Sequence, residues 1–377
     1  MMATVNFLRG VPADEALVPV AKAFSREYSN LLDTYGARLV QYQTAGLSDF
    51  NGFVPLKETL AQRFKVKGDP AKRMICSNGG METFSLLLKA FPRGSRVATE
   101  ALTYDRVLAD IARHEHQVVG VPLAEDGVDL NALEKALGEG QIELFYQIGY
   151  HHNPTGLTTS IENLNQAAKL CAEYGVLHVV DIAYFELRYD GVGNELVDLE
   201  ACPETSIIVG SFTKTLTPGA KCGFGVFPER VVEKMTPVIA NTRLNPNYPT
   251  QAAINALIES GFYDQHLNYL VGLYRPRMDA LNSSIAKYLP GVSAPHVTGG
   301  FFVGIALPGI SDETAFVEAL KEKDVVLAPP NVYAPGYKEV YRSQTNSAFF
   351  RLTFPFFTPE ENERGIAAIG KTYEEMS

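Results

Sequence analysis

Lys214 sits in the stretch VGSFTKTLTPGAKCGFG, residues 209–225, with a threonine on either side, Ser211 before it and Lys221 after it across a Pro-Gly turn. A solvated lysine needs no such setting. An amine that must lose its proton and attack a carbonyl does, because burial and a neighbouring cation both destabilise its charged form. Other residues with chemical capacity stand upstream. Asp181 closes the apolar run VLHVVD, so its carboxylate is expected to be partly buried; there it needs a cation, unless it acts as an N-cap or in a salt bridge. Tyr184 follows it. Gly79 and Gly80 in SNGGMETF precede a helical pattern, where free amides and the helix dipole favour a phosphate, although a plain turn also accounts for them. Asn153 opens NPTG, which read alone is a proline turn.

Taken together, these groups fit pyridoxal 5'-phosphate, an aldehyde that carries a pyridine nitrogen, a phenolate oxygen and a phosphate. Lys214 would hold the aldehyde as a Schiff base, and Asp181 would keep the ring nitrogen protonated. Asn153 and Tyr184 would hold the phenolate oxygen. Gly80, Met81, Ser211 and Lys221 would take the phosphate.

The elements that must position these residues show in the periodicity. Between about 70 and 230, short β-branched runs (RMICS, SRVATEA, IELFYQIG, VLHVVDIA, TSIIVGSF) alternate with helical patterns such as METFSLLLKAF, YDRVLADIARHE and SIENLNQAAKLCAEYG. This alternation predicts an α/β fold, a mostly parallel sheet between helices, with ligands at the carboxyl ends of the strands. A long helical pattern runs from about 254 to 287, and GGFFVGIAL, ETAFVEALKEKD, FFRLTF and TPEENERGIAAIGKTYEEM form a smaller α/β unit. The divisions are expected at 1–45 (an N-terminal arm and part of the small unit), 46–285 (the large cofactor-binding domain) and 286–377 (the small C-terminal domain).

At 377 residues the chain suits two domains, and 46% hydrophobic with 20% charged residues is globular. A formal charge of −10 disfavours nucleic acid as a partner. No apolar run is long enough for a membrane span, and the N-terminus lacks the pattern of a signal peptide. The four cysteines, 76, 171, 202 and 222, are scattered without a CxxC pair and read as reduced thiols of a cytoplasmic protein. His114 and His116 point to different sides of a helix and cannot share a metal. No metal is expected.

Along nearly its whole length the sequence resembles the class I/II aminotransferases, pyridoxal phosphate enzymes of fold type I, and most of all the branch of α-aminoadipate, kynurenine and broad-specificity aminotransferases. SFTKTLTPGAKCGF, NPTG and DIAYFELRYDG are similar to its cofactor segments. EALTYDRV resembles the segment whose tyrosine stacks on the pyridine ring, here Tyr104. NSAFFRLTF resembles the segment whose arginine grips the substrate α-carboxylate, here Arg351. FLRGVPADEALVP is similar to the N-terminal arm, which implies substrate contact at Gly10, joined by Asn153. QYQTAGLSDFNGFVPLKETLA resembles the stretch whose tyrosine, here Tyr42, reaches the partner subunit's phosphate. The resemblance implies a seven-stranded large-domain sheet, a homodimer with shared sites, and transamination between an α-amino acid and a 2-oxo acid. Lys214, Asp181 and Tyr184 are then the catalytic residues.

Departures from the family pattern carry expectations of their own. Lys221 replaces an arginine, keeping the charge and losing the bidentate fork. Leu102 stands where a proline is usual. The added segment QTAGLSDFN, 43–51, is expected to be flexible, near the site mouth and a selector of side chains. His151 and His152 read as solvated loop histidines, with substrate contact as the alternative. Arg9 and Arg243 read as surface arginines or as anchors for a distal carboxylate. The same cofactor motifs would also serve a C–S lyase, a decarboxylase or an oxidase or hydroxylase of a biosynthetic pathway. A transcription regulator built on this fold would need room for a DNA-binding domain ahead of an arm that begins within ten residues of the start. A Rossmann dehydrogenase is disfavoured by the lack of GxGxxG after a strand.

Overall fold

The computed structural model describes residues 4–334, 342 and 345–377. Residues 1–3, within the expected arm, and 335–341 and 343–344, within the expected small unit, lie outside the described residues. The β-branched runs form one seven-stranded sheet in the order Met74–Ser77, Gly223–Val226, Ser206–Ser211, Leu177–Asp181, Ile142–Ile148, Arg96–Glu100, Gln117–Val121. Gly223–Val226 runs against both its neighbours, and the other pairings are parallel. Leu177–Asp181 and Ser206–Ser211 are buried until their last residues, which open to the carboxyl edge. That is the pattern of strands covered on both faces.

The reversed strand explains the glycines of CGFG. A Cβ on Gly223 would stand 2.4 Å from the carbonyl carbon of Gly79, so the turn before the helix Gly80–Leu88 rests directly on this strand. Gly79 itself has φ 114, a conformation that favours glycine.

The long helical pattern divides in two. Tyr248–Glu259 and Phe262–Tyr288 are separate helices, broken where Gly261 takes a left-handed conformation with φ 75. Phe302–Pro308 and Ser347–Thr353 form an antiparallel pair that sets Gly304 opposite Arg351. The helix Pro359–Met376, started by a capping box between Thr358 and Glu361, joins Phe262–Tyr288 in covering this pair.

The beginning of the chain ties two cores together. Val5–Asn6 pairs with Val325–Val326, and Val5, Phe7, Ala13 and Ala16 pack with Phe302, Phe350 and Ile366. Farther along the helix Asp14–Tyr35, Val20 and Ala23 pack instead with Leu56, Phe224 and Ile254. Among the described residues no helix is long and apolar enough to cross a membrane.

Candidate active site

The carboxyl ends of the central strands, the heads of Gly80–Leu88 and Asp105–Arg113, the residues after Phe7 and the Ser347–Thr353 strand enclose a cavity of about 650 Å³. Gly10, Gly80, Met81, Tyr104, Asn153, Asp181, Tyr184, Ser211, Lys214, Lys221 and Arg351 all line it. Tyr42 does not; it is 72% exposed, on the outside of this chain.

Lys214 leaves the Ser206–Ser211 strand end and points its amine inward. Its Nζ donates to the carbonyl of Gly10 at 2.8 Å and lies 5.7 Å from the ring centroids of both Tyr184 and Phe301. Burial, with Arg351 and Lys221 nearby, lowers the amine's pKa to about 8, and Asp181 opposes the shift. This is the depressed amine that nucleophilic and proton-transfer chemistry requires.

Asp181 accepts from the Tyr146 hydroxyl on Oδ2 at 2.7 Å and from the Ala183 amide on Oδ1 at 2.8 Å. Burial pushes its carboxyl upward; those hydrogen bonds and Lys214 draw it down, while Glu100 adds to the upward push. Tyr104 stands just before its helix, and Tyr184 is buried edge-on against Phe301 and Phe302. At the far side, Gly80 and Met81 head a helix whose first amides lack intrahelical partners, beside Ser211 and the exposed Lys221. Ser211 donates to the Thr213 hydroxyl at 2.9 Å.

Arg351 is 8% exposed, with its guanidinium 4.4 Å from the Phe302 ring centroid and 4.9 Å from that of Tyr333. It donates to Asn153 Oδ1 at 3.0 Å and to the Leu8 carbonyl at 3.3 Å. Its buried Nε has no partner among the described residues. A carboxylate ligand would answer that unmet donor capacity.

The loop histidines require a correction. His151 and His152 are buried, not solvated, and neither lines the cavity. NPTG folds back so tightly that its leading residues are enclosed: His152 pairs with Glu100 at 2.9 Å and Thr155 at 2.8 Å, and His151 meets Thr158 and Asn194. Burial lowers the pKa of His151 to about 3. Arg243 is committed to Glu82 and the Cys76 carbonyl, each at 2.7 Å, and Arg9 lies over the Phe356 ring; neither lines the cavity. The 43–51 segment also lines no part of this chain's cavity. It is pinned by Asp49, which binds the fully buried Lys57 at 2.8 Å and, through its carbonyl, the Tyr248 hydroxyl at 2.8 Å.

The sequence reading missed Tyr146, Phe301, Phe302 and Tyr333, which hold the reactive groups rather than being reactive themselves. Only the aromatic pair in GGFFVG offered a signal, and it is equally a core pattern. Among the described residues no cluster of metal-ligating side chains occurs. The donor set does fit pyridoxal phosphate: a helix head and cation at one end, a carboxylate supplied with hydrogen bonds at the other, and a depressed amine between them.

The comparisons with known proteins agree with that chemistry. The sequence model of the family described as Aminotransferase class I and II matches residues 5–369. An aromatic-amino-acid aminotransferase of Thermococcus litoralis is 26% identical, covering 98% of this chain and 88% of that one. A 2-aminoadipate transaminase of Thermus thermophilus is 29% identical over 97% of this chain and 89% of its own length. A solved kynurenine aminotransferase of Pyrococcus horikoshii, 24% identical, has the same fold with a TM-score of 0.88 over 100% of this chain and 92% of that one. A family match that runs from the strand at Val5 into the last helix takes in both walls of the cavity, and the chain therefore belongs to the class I and II aminotransferases.

Proposed function

We propose that this pyridoxal-phosphate-dependent aminotransferase moves an amino group between an α-amino acid and a 2-oxo acid, with Lys214 as covalent anchor and proton carrier. The observation that carries the reading is Lys214 itself, a cavity-facing amine with its pKa lowered to about 8. When bound, the cofactor supplies an aldehyde that takes up the amino group and a ring that accepts the electron pair left at Cα. Once freed by substrate, the Lys214 amine would remove the proton from Cα as general base and, as general acid, deliver it to the cofactor's former aldehyde carbon, C4′, which leaves Cα as the future carbonyl carbon of the 2-oxo acid. Arg351 grips the α-carboxylate, which fixes the Cα–H bond within reach of that amine. Gly10 lines the substrate side with Asn153. Asp181 holds the ring nitrogen in its protonated form. Tyr184 and Asn153 hold the phenolate oxygen, and Tyr104 covers the ring face. Gly80, Met81, Ser211 and Lys221 bind the phosphate.

The same proposal includes a homodimer in which Tyr42 completes the neighbouring site, the domain divisions at 45 and 285, and a place in the cytoplasm for a chain whose four cysteines are free. The deciding experiment mixes the yellow holoenzyme with single amino acids, aromatic residues and 2-aminoadipate first because relatives carry those names. Donors convert the lysine-bound absorbance to that of the aminated cofactor, and a 2-oxo acid restores it. Turnover of the amino acid that leaves the lysine-bound absorbance in place and consumes no oxo acid would indicate lyase, decarboxylase or oxidase chemistry instead.

A further inference from the structure

We propose that Tyr146 is a positioning residue for the cofactor's ring nitrogen: its hydroxyl holds the Asp181 carboxylate ionised and in one orientation. The inference rests on the reading of the site given above. Tyr146 lies opposite Val179 in the parallel pairing of Ile142–Ile148 with Leu177–Asp181. Side chains alternate along a strand, so Asp181, two residues beyond Val179, shares the face of Tyr146 on the diagonal. The phenol is fully buried, and its ring lies 4.8 Å from that of Phe84 on the helix that heads the phosphate end. Its hydroxyl donates to Asp181 Oδ2 at 2.7 Å, its one acceptor among the described residues.

Asp181 needs this donor. Ala183 already serves Oδ1, and the two bonds together leave each oxygen with further accepting capacity. The carboxylate therefore stays fixed and still accepts from a protonated ring nitrogen. A second carboxylate works against it. Glu100, 1% exposed at the end of the adjacent strand, is held by the Ile148 amide and by His152, each at 2.9 Å. The ionisable groups facing Asp181 are Tyr146, Glu100 and Lys214, with Tyr104 and Tyr184 beyond them. Burial and Glu100 favour the neutral acid, while Tyr146 and Lys214 favour the anion. A neutral acid cannot hold a pyridinium, so the donated hydrogen bond decides whether the ring stays an electron sink.

The test replaces Tyr146 with Phe, which keeps the ring against Phe84 and removes only the donor. Holoenzymes of the wild type, Tyr146→Phe, Asp181→Asn and the double variant are compared for apo-protein Tm, cofactor affinity and the pH at which the bound cofactor's absorbance interconverts. Tyr146→Phe is expected to weaken cofactor binding about threefold to tenfold, part of what a hydrogen bond to a charged group carries. The absorbance midpoint is expected to rise by about half a pH unit or more, because an unprotonated ring withdraws fewer electrons. On the Asp181→Asn background the same substitution should change either quantity less than about twofold, since the phenol acts through the carboxylate. A wild-type spectrum and affinity in Tyr146→Phe, or an equal loss on both backgrounds, overturns the inference and makes the phenol a packing element, whatever the Tm. A wild-type chain that leaves the spectrum of free pyridoxal phosphate unchanged overturns the reading of the site and this inference with it.

Discussion

The Nζ of Lys214 donates to the carbonyl oxygen of Gly10 at 2.8 Å, across a separation of 204 residues. The amine is thus held by a backbone dipole of the N-terminal segment, with no carboxylate of the described residues bound to it directly. Reduction of the holoenzyme with borohydride should fix the cofactor on the peptide carrying Lys214. A label on any other lysine would remove it from the mechanism.

The depressed amine also has a signature in stability. Its folded pKa, about 8, lies below the ordinary lysine value of 10.5, so the unfolded chain binds more protons between those two pH values. Stability of the apo-protein should therefore rise with pH across that window, whereas below pH 8 the cost of charging the buried amine is fully present. The span is on the order of 3 kcal/mol. Lys214→Met should abolish the rise, read as the difference between the two proteins in urea melts at a series of pH values. Parallel curves for the two proteins would show that the amine is not depressed.

Asp181→Asn keeps an acceptor oxygen for the Ala183 amide, turns an NH2 toward the Tyr146 hydroxyl oxygen, which can accept from it, and removes the charge opposite the ring nitrogen. We expect kcat to fall about 10²- to 10³-fold, the scale for losing one preorganised electrostatic group. The apo-protein should fold normally, since burial already pushes this carboxyl toward its neutral form. Steady-state assays with one good donor check the first point and thermal melts the second. Near-normal turnover would mean that the carboxylate is structural.

Arg351→Lys keeps the charge and loses both the bidentate fork and the flat stacking between Phe302 and Tyr333. KM should rise for amino donor and oxo-acid acceptor alike, because both carry the same carboxylate. The expected loss in kcat/KM is about 2–4 kcal/mol. An effect confined to one substrate of the pair would exclude the carboxylate role.

Tyr42 and Val40, 72% and 65% exposed, stand out as large apolar groups on the surface of a single chain. If Tyr42 serves a neighbour's phosphate, Tyr42→Phe and Lys214→Ala should each impair activity, and a mixture after subunit exchange should regain part of it. In the mixed dimer one site then carries neither substitution. Light scattering that finds a fully active monomer at assay concentration would end the proposal.

Much of this molecule was legible because its chemistry is written in short, local segments. Strands such as VLHVVD and SIIVGS end at the residues that face the ligand, so Asp181 and Ser211 could be assigned to the carboxyl edge from alternation alone. The division at Gly261 was not legible, since a lone glycine inside a helical pattern does not reveal its φ. The histidines of GYHHNPTG were misread because loop composition says nothing about enclosure, and the partner that buries His152 is Glu100, far back in the chain. Tyr146 escaped for a related reason. The diagonal that joins it to Asp181 exists only once the strand register is known.

The contacts that close the cavity have a consequence in time. Arg351 reaches Leu8 across 343 residues, Thr353 reaches Arg9 across 344, and Arg351 reaches Asn153 across 198. Ordering such distant segments costs loop entropy before any contact repays it, whereas neighbouring strand and helix units close over much shorter loops. Refolding should therefore rebuild the parallel strands between Arg96 and Ser211 first and competence to take up cofactor last. Recovery of far-UV ellipticity would run ahead of the yellow colour, leaving for an interval a folded platform that still cannot hold the coenzyme.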